Sequence, residues 1–166
     1  AVAGWDEYED RFYSKGGAFK LGHRISWIAD NLRAPGYRPP DFADYVLHLP
    51  LRTIDRVAAG RTVDFLQTAL DHPAYDAYWR SVSTRERIGQ VRAPALIITG
   101  WYDNFAENDL AAFARLRELG REARIVVGPW PHDFGYRFPG FAFGPASFVP
   151  IRQLQLEWFD YWLKPE

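Results

Sequence analysis

Residues 95 to 132 constrain the chain most, because they spell strand, helix and strand with one ionisable side chain just beyond each strand. The apolar run Ala95-Leu96-Ile97-Ile98-Thr99 lies between Pro94 and Gly100, the pattern of a short strand buried on both faces. Asp103 follows it. Leu110, Ala111, Phe113, Ala114, Leu116 and Leu119 then recur at near-helical spacing, and Gly120 stands where a helix would stop. A second run, Ile125-Val126-Val127, leads into Gly128-Pro129-Trp130-Pro131-His132. A connection of this length between strands is a right-handed crossover, so the two strands run parallel and Asp103 and His132 emerge at one edge. Neighbouring strands lie ~5 Å apart, which brings a carboxylate and an imidazole within hydrogen-bonding reach. Ligand sites of open α/β sheets lie at that carboxyl edge.

The pair therefore reads as the Asp-His half of a nucleophile-His-Asp triad, with Asp103 orienting the imidazole of His132. Each residue has a plainer alternative. Asp103 could cap the helix beyond it, and His132 could be a loop residue without a task. Asp109, within the helix, and Asp133, next to His132, are competitors, but neither stands at a strand end. His72, in Asp71-His72-Pro73, reads as a helix stop or a structural hydrogen-bonding residue, and His23 and His48 have no partner at a useful spacing. No His-x-x-x-His or Glu-x-x-His pair is present, so no metal is expected, and no cofactor.

The nucleophile is not found. Ser14, Ser26, Ser81, Ser83 and Ser147 are all outside a Gly-x-Ser-x-Gly elbow, and there is no cysteine. In the chain order of an α/β-hydrolase the serine precedes the acid, so it is expected upstream of residue 1. The chain also opens on Ala1 and contains no methionine, which favours an excised piece of something longer.

The remaining sequence fits an α/β fold with a helical insertion. Residues 1–13 read as the end of a core strand and a pocket loop, with Trp5, Tyr8, Phe12 and Tyr13 either walling a pocket or packing beneath the loop. Residues 14–92 hold several short helices without a convincing strand: one within Ala18 to Leu32, a turn or helix from Phe42 to Leu51, one from Arg61 to Leu70, and a helix-prone tract to Val91. Residues 93–166 form the third region. Within it, the glycine-, proline- and phenylalanine-rich stretch after His132 reads as a loop packed by its own aromatics. Ile151 to Leu163 is a helix apolar over more than half its circumference, which predicts burial against a substantial partner, part of it outside these residues.

At 48% hydrophobic and 17% aromatic, 166 residues can build a core, and a net charge of −1 gives no electrostatic reason to bind nucleic acid or an anionic membrane. No stretch approaches ~18 consecutive apolar residues and no signal peptide opens the chain. A cytoplasmic location is expected, with a signal upstream of the fragment as the alternative.

Five ordered motifs carry a resemblance: Asp71-His72-Pro73 through Tyr78-Trp79, Gly100-Trp101-Tyr102-Asp103-Asn104-Phe105, Gly128-Pro129-Trp130-Pro131-His132, Phe143-Gly144-Pro145-Ala146, and Trp158-Phe159-Asp160-Tyr161-Trp162-Leu163-Lys164. Together they resemble the cocaine esterase family of serine hydrolases (CocE/NonD, Xaa-Pro dipeptidyl-peptidase type) over nearly the whole chain. The resemblance implies a partial α/β-hydrolase core, comprising its last parallel strands and helices, with an inserted helical cap. It implies ester or amide hydrolysis through an acyl-enzyme, with Asp103 as triad acid and His132 as base. It assigns Phe105 to the acyl pocket, and Phe12 and Trp27 to enclosing the substrate, with phenylalanine at the first position where the family has tryptophan. The implied partners are a small-molecule ester or amide, the rest of the hydrolase core and a jelly-roll domain, with a homo-oligomer left open. The serine elbow and the oxyanion tyrosine of the family fall outside these residues, so the isolated chain is expected to be inactive. An Xaa-Pro dipeptidyl-peptidase and a non-catalytic binding fragment are the alternatives.

Overall fold

The computed structural model describes residues 4–135, 137–138 and 140–164. They divide into two compact units, residues 6–83 and residues 84–164 with 4–5.

The first unit is helical. It begins with a single π-helical turn, Tyr8–Phe12, followed by α1 (Leu21–Asn31), α2 (Phe42–Tyr45), α3 (Ile54–Ala59), α4 (Asp64–Asp71) and α5 (Ala77–Val82). The π-helical turn replaces the loop expected before residue 13. Its cause is local: Asp6 Oδ1 accepts the amides of Tyr8 at 2.9 Å and Glu9 at 3.1 Å, while Asp10 Oδ2 accepts the Asp6 amide at 2.8 Å. Two carboxylates thereby satisfy amides that a helix start leaves without partners. The expected strand end before it falls largely on residues 1–3, outside the described residues.

Two clusters fill this unit. Ile25, Ile28, Ile54, Ala58 and Leu66 are fully buried in one. The other gathers Tyr8, Phe12, Tyr13 and Trp79, with the Tyr8 and Tyr13 rings stacked at 4.7 Å and Trp79 edge-on to Tyr8 at 5.4 Å. Tyr8, Phe12 and Tyr13 thus pack in this core, whereas Trp5 packs in the second unit. Helix α3 is absent from the sequence reading, because its six residues carry only one period of apolar positions and lie between Pro50 and Gly60. As expected, His72 ends α4. Its Nδ1 lies 2.6 Å from Asp76 Oδ2, and its ring stacks on Tyr78 at 4.5 Å. Asp76 in turn caps α5 through the amides of Tyr78 and Trp79. The hydrogen bond to His72 holds the Asp76 carboxyl below its ordinary pKa.

The second unit is built on β1 (Ala95–Gly100), α6 (Ala106–Glu118) and β2 (Ala123–Gly128). The strands are parallel, in the register Ala95↔Ala123 through Gly100↔Gly128. Gly120, at φ 68, ends α6 with two backbone bonds, Gly120 to the Arg117 carbonyl and Arg121 to the Leu116 carbonyl. Alternation along the strands sends Ile97 and Ala123 toward α6, where they join Ala112, Leu116 and Ile88 in a core.

Beyond β2, a two-stranded antiparallel hairpin, β3 (Arg137–Phe138) with β4 (Phe141–Ala142), interrupts the expected loop. Its phenylalanines pack on one another as predicted, Phe138 stacked on Phe141 at 4.8 Å. The last helix, α7 (Ile151–Leu163), has the expected boundaries, and the described residues do not supply the partner expected to bury it. None of its residues is buried. Only Ile151, Leu154 and Trp158 are half-covered, along the seam that faces the sheet. Two clefts, of about 310 and 360 Å³, separate it from Leu96, Ile98 and Val126. The apolar stripe is wider than the surface this two-stranded sheet offers. The described residues therefore form a mixed helical and parallel-strand fold compatible with part of an α/β-hydrolase.

Candidate active site

The crossover delivers two side chains to the carboxyl edge of the sheet. Past the end of β1, the Asp103 amide bonds to the Gly100 carbonyl at 2.9 Å and turns the chain into α6. Past β2, the segment to His132 is fastened against that turn. The Trp101 amide donates to Gly128 O at 2.9 Å, the Tyr102 amide donates to Trp130 O at 3.1 Å, and the buried Trp130 indole donates to Ser147 O at 2.7 Å. A Cβ on Gly100 would collide with the Trp130 backbone, and one on Gly128 with the Trp130 ring. Both strands must end in glycine for the tryptophan to sit there.

Held this way, His132 Nδ1 lies 2.9 Å from Asp103 Oδ2. The carboxylate is almost fully enclosed, with 5% of its side chain exposed, whereas the imidazole is 53% exposed. The other carboxylate oxygen accepts the Phe105 amide at 3.0 Å. Asp103 therefore orients the imidazole and braces the turn that leads into α6, while α6 itself has no side-chain cap at Phe105. With Nδ1 donating to the carboxylate, Nε2 is the acceptor tautomer, and among the described residues nothing occupies it. The buried Phe105 ring stands edge-on beside the imidazole, 5.1 Å between centroids.

The same carboxyl edge holds a further acid. Asp109, on α6, is buried and accepts the Gly4 amide at 3.0 Å. Burial pushes its carboxyl above the ordinary range, and the nearby Asp103 charge adds to that, while the Thr99 hydroxyl and the Gly4 amide act the other way. Asp133 instead accepts the Gly135 amide in its own loop at 2.9 Å. The serines engage local partners. Ser14 accepts the Ala18 amide and Ser83 that of Glu7, while Ser26, Ser81 and Ser147 donate to Gly22, Tyr78 and Gly144 carbonyls. Among the described residues, no three His, Asp or Glu side chains are grouped to hold a metal ion, and no helix is long and apolar enough to cross a membrane.

The sequence profile of the X-Pro dipeptidyl-peptidase (S15) family matches residues 1–133. The chain belongs to this family. It is also 32% identical, over a 189-position alignment that takes in all of it, to cocaine esterase from Rhodococcus sp. (strain MB1 Bresler), of which it spans 32% of the length. The S15 profile thus takes in both Asp103 and His132, along with the whole helical unit.

Phe12 and Trp27 belong to that unit, not to the sheet. Phe12 is 6% exposed and Trp27 40% exposed, and both line a cavity of about 440 Å³ formed within residues 6–83. A residue the sequence reading passed over shares that cavity. Arg24 is buried on α1 with its Nε 3.1 Å from the Arg11 carbonyl. Its position four residues before the buried Ile28 puts it on the apolar face, a signal that was present in the sequence. Asp109, which the sequence offers only as a competitor of Asp103, has a buried place beside Thr99 that needs the crossover to be folded.

Proposed function

We propose that this chain is the cap and the C-terminal half of the catalytic core of a serine hydrolase that cleaves carboxylic ester or amide bonds through an acyl-enzyme. The observation that carries the reading is the 2.9 Å contact between an enclosed carboxylate and an imidazole whose other nitrogen is open. Membership of the S15 family supports it, as does likeness to an enzyme named as an esterase.

In this reading the serine comes from a part of the complete protein outside these residues. Its hydroxyl attacks the substrate carbonyl and its proton passes to His132 Nε2. The imidazolium is stabilised by Asp103 and returns that proton to the leaving alcohol or amine as the tetrahedral intermediate collapses. Water then repeats the sequence on the acyl-enzyme, releasing the acid and restoring the serine. Phe105 fixes one oxygen of Asp103 through its amide and presents its ring to the acyl group. The rest of the hydrolase core would cover the faces of α7 that are exposed in this chain, and a jelly-roll domain would follow it.

The test is hydrolysis of 4-nitrophenyl butyrate by the complete protein and its His132→Ala variant. The variant is expected to lose about 10³-fold or more in kcat. Equal rates would remove His132 from the chemistry. A dipeptidyl-peptidase acting after proline is the second reading, favoured by the family's name, and it predicts that a free amino terminus is required in the substrate.

A further inference from the structure

We propose that the cavity within residues 6–83 binds the carboxylate of an apolar or aromatic acid through Arg24, so that the ligand of the helical unit is an anion.

The cavity holds about 440 Å³ and is walled by Phe12, Trp27, Phe65, Trp79 and Val82. Such walls alone would favour a neutral, greasy ligand. Arg24 changes that. It is only 3% exposed, and its guanidinium carbon lies 4.7 Å from the centre of the Phe12 ring and 5.3 Å from that of Trp27. The two rings account for its position, since a guanidinium is attracted to aromatic faces. They do not account for its hydrogen bonds. Nε is satisfied by the Arg11 carbonyl, whereas among the described residues no group accepts from the two terminal nitrogens.

A buried cation without an anion is costly, and the protein registers that cost: burial lowers the Arg24 pKa to about 10, which still leaves it charged at neutral pH. The nearest candidate to neutralise it is Glu7, also at the cavity. Glu7 is engaged elsewhere, its carboxylate 2.9 Å from Arg11 Nε in a pair exposed by 39% and 30%. The cavity, which Glu7 and Arg11 also line, therefore carries a net positive charge beside aromatic rings. A ligand carboxylate supplies what is missing: a negative charge and two acceptors in the plane that the guanidinium fork requires. The ligand's apolar body would replace water against Trp27 and Phe65.

The pocket stands independently of the hydrolase chemistry. Phe12 and Trp27 are also the residues that the family resemblance assigns to the substrate.

The experiment uses the complete protein carrying His132→Ala, so that nothing is turned over, and titrates benzoate against its neutral isostere benzamide by calorimetry, with the emission of Trp27 and Trp79 as a second readout. Benzoate is expected to bind at least tenfold more tightly. Arg24→Gln, which keeps a donor for the Arg11 carbonyl, is expected to bring the two within about twofold, and Arg24→Lys to retain part of the preference. Trp27→Phe should diminish the emission change. Equal binding of the two compounds, no binding of either, or a preference that survives Arg24→Gln overturns the proposal. The comparison within the parent protein decides even if the Arg24 variants do not fold. Hydrolysis of 4-nitrophenyl butyrate that depends on His132 without a preference for benzoate would sink the pocket and leave the hydrolase. A preference for benzoate that depends on Arg24, with no hydrolysis, would do the reverse.

Discussion

Helices α6 and α7 are both thirteen residues long and flank the same two-stranded sheet, yet they behave oppositely. Helix α6 carries Glu107, Asp109, Arg115 and Arg117, and it buries Ala106, Asp109, Ala112 and Leu116 along one face. Helix α7 is rich in leucine and aromatic residues and buries nothing: Leu156 is 63% exposed, Phe159 55% and Tyr161 73%. Apolar content did not decide which helix is covered. What decided it is the surface each one meets. The α6 side of the sheet offers Ile97 and Ala123 and is completed by Ile88, so small residues at helical spacing close against it. Across the other face, α7 meets Leu96, Ile98 and Val126 over open clefts. Parallel sheets are stable with both faces covered, and here one face is covered and the other is only approached.

The contrast can be broken most directly with leucines. Leu116→Ala, in α6, is expected to cost about 2–5 kcal/mol of unfolding free energy, whereas Leu156→Ala, in α7, should stay within about 0.5 kcal/mol in the 166-residue chain. Urea titrations of the two variants compare them. A large cost at Leu156 would mean that α7 is buried by association between chains, which would show as a concentration-dependent midpoint. Repeating Leu156→Ala in the complete protein sharpens the point, since the proposed hydrolase core would raise its cost into the range of Leu116.

A smaller effect is expected at the end of α6. Gly120 has φ 68, and nothing lies within 4 Å of the point where a Cβ would stand, so Gly120→Ala meets only backbone strain, about 1–2 kcal/mol. Helix α7 ends at Lys164 in extended backbone with no such stop, and a substitution there should leave the urea midpoint unchanged.

The smallest effect concerns the acid that α6 buries. Asp109 has its folded pKa raised by burial, so its charged form is disfavoured in the folded state and stability falls as pH rises from the unfolded carboxylate pKa through the folded one. Asp109→Asn keeps an acceptor for the Gly4 amide and removes that penalty. Its melting midpoint should exceed that of the parent at neutral pH, and the difference should vanish in acid, where Asp109 is protonated. An unchanged difference between pH 7 and pH 3 would refute the sign.

Much of the candidate site was legible without coordinates. Pro94 and Gly100 bracket one strand, Gly120 stops the helix, and the handedness of the crossover is general, so Asp103 and His132 had to arrive at one edge. The boundaries of α7 were equally plain from its periodicity. Local rules did not reach the π-helical turn at Tyr8–Phe12, which depends on two aspartates folding back onto amides, nor α3, which is too short to show a period.

The sequence by itself determined which residues form the crossover, where its helix ends and which two ionisable groups share its edge, because chain chirality and nearest-neighbour sterics act over a few residues. Only the tertiary structure decided that the imidazole stands 2.9 Å from its carboxylate, that Arg24 is buried against the Phe12 and Trp27 rings, and that among the described residues α7 is left uncovered. Those outcomes depend on which surfaces meet, and a surface is assembled from residues far apart along the chain.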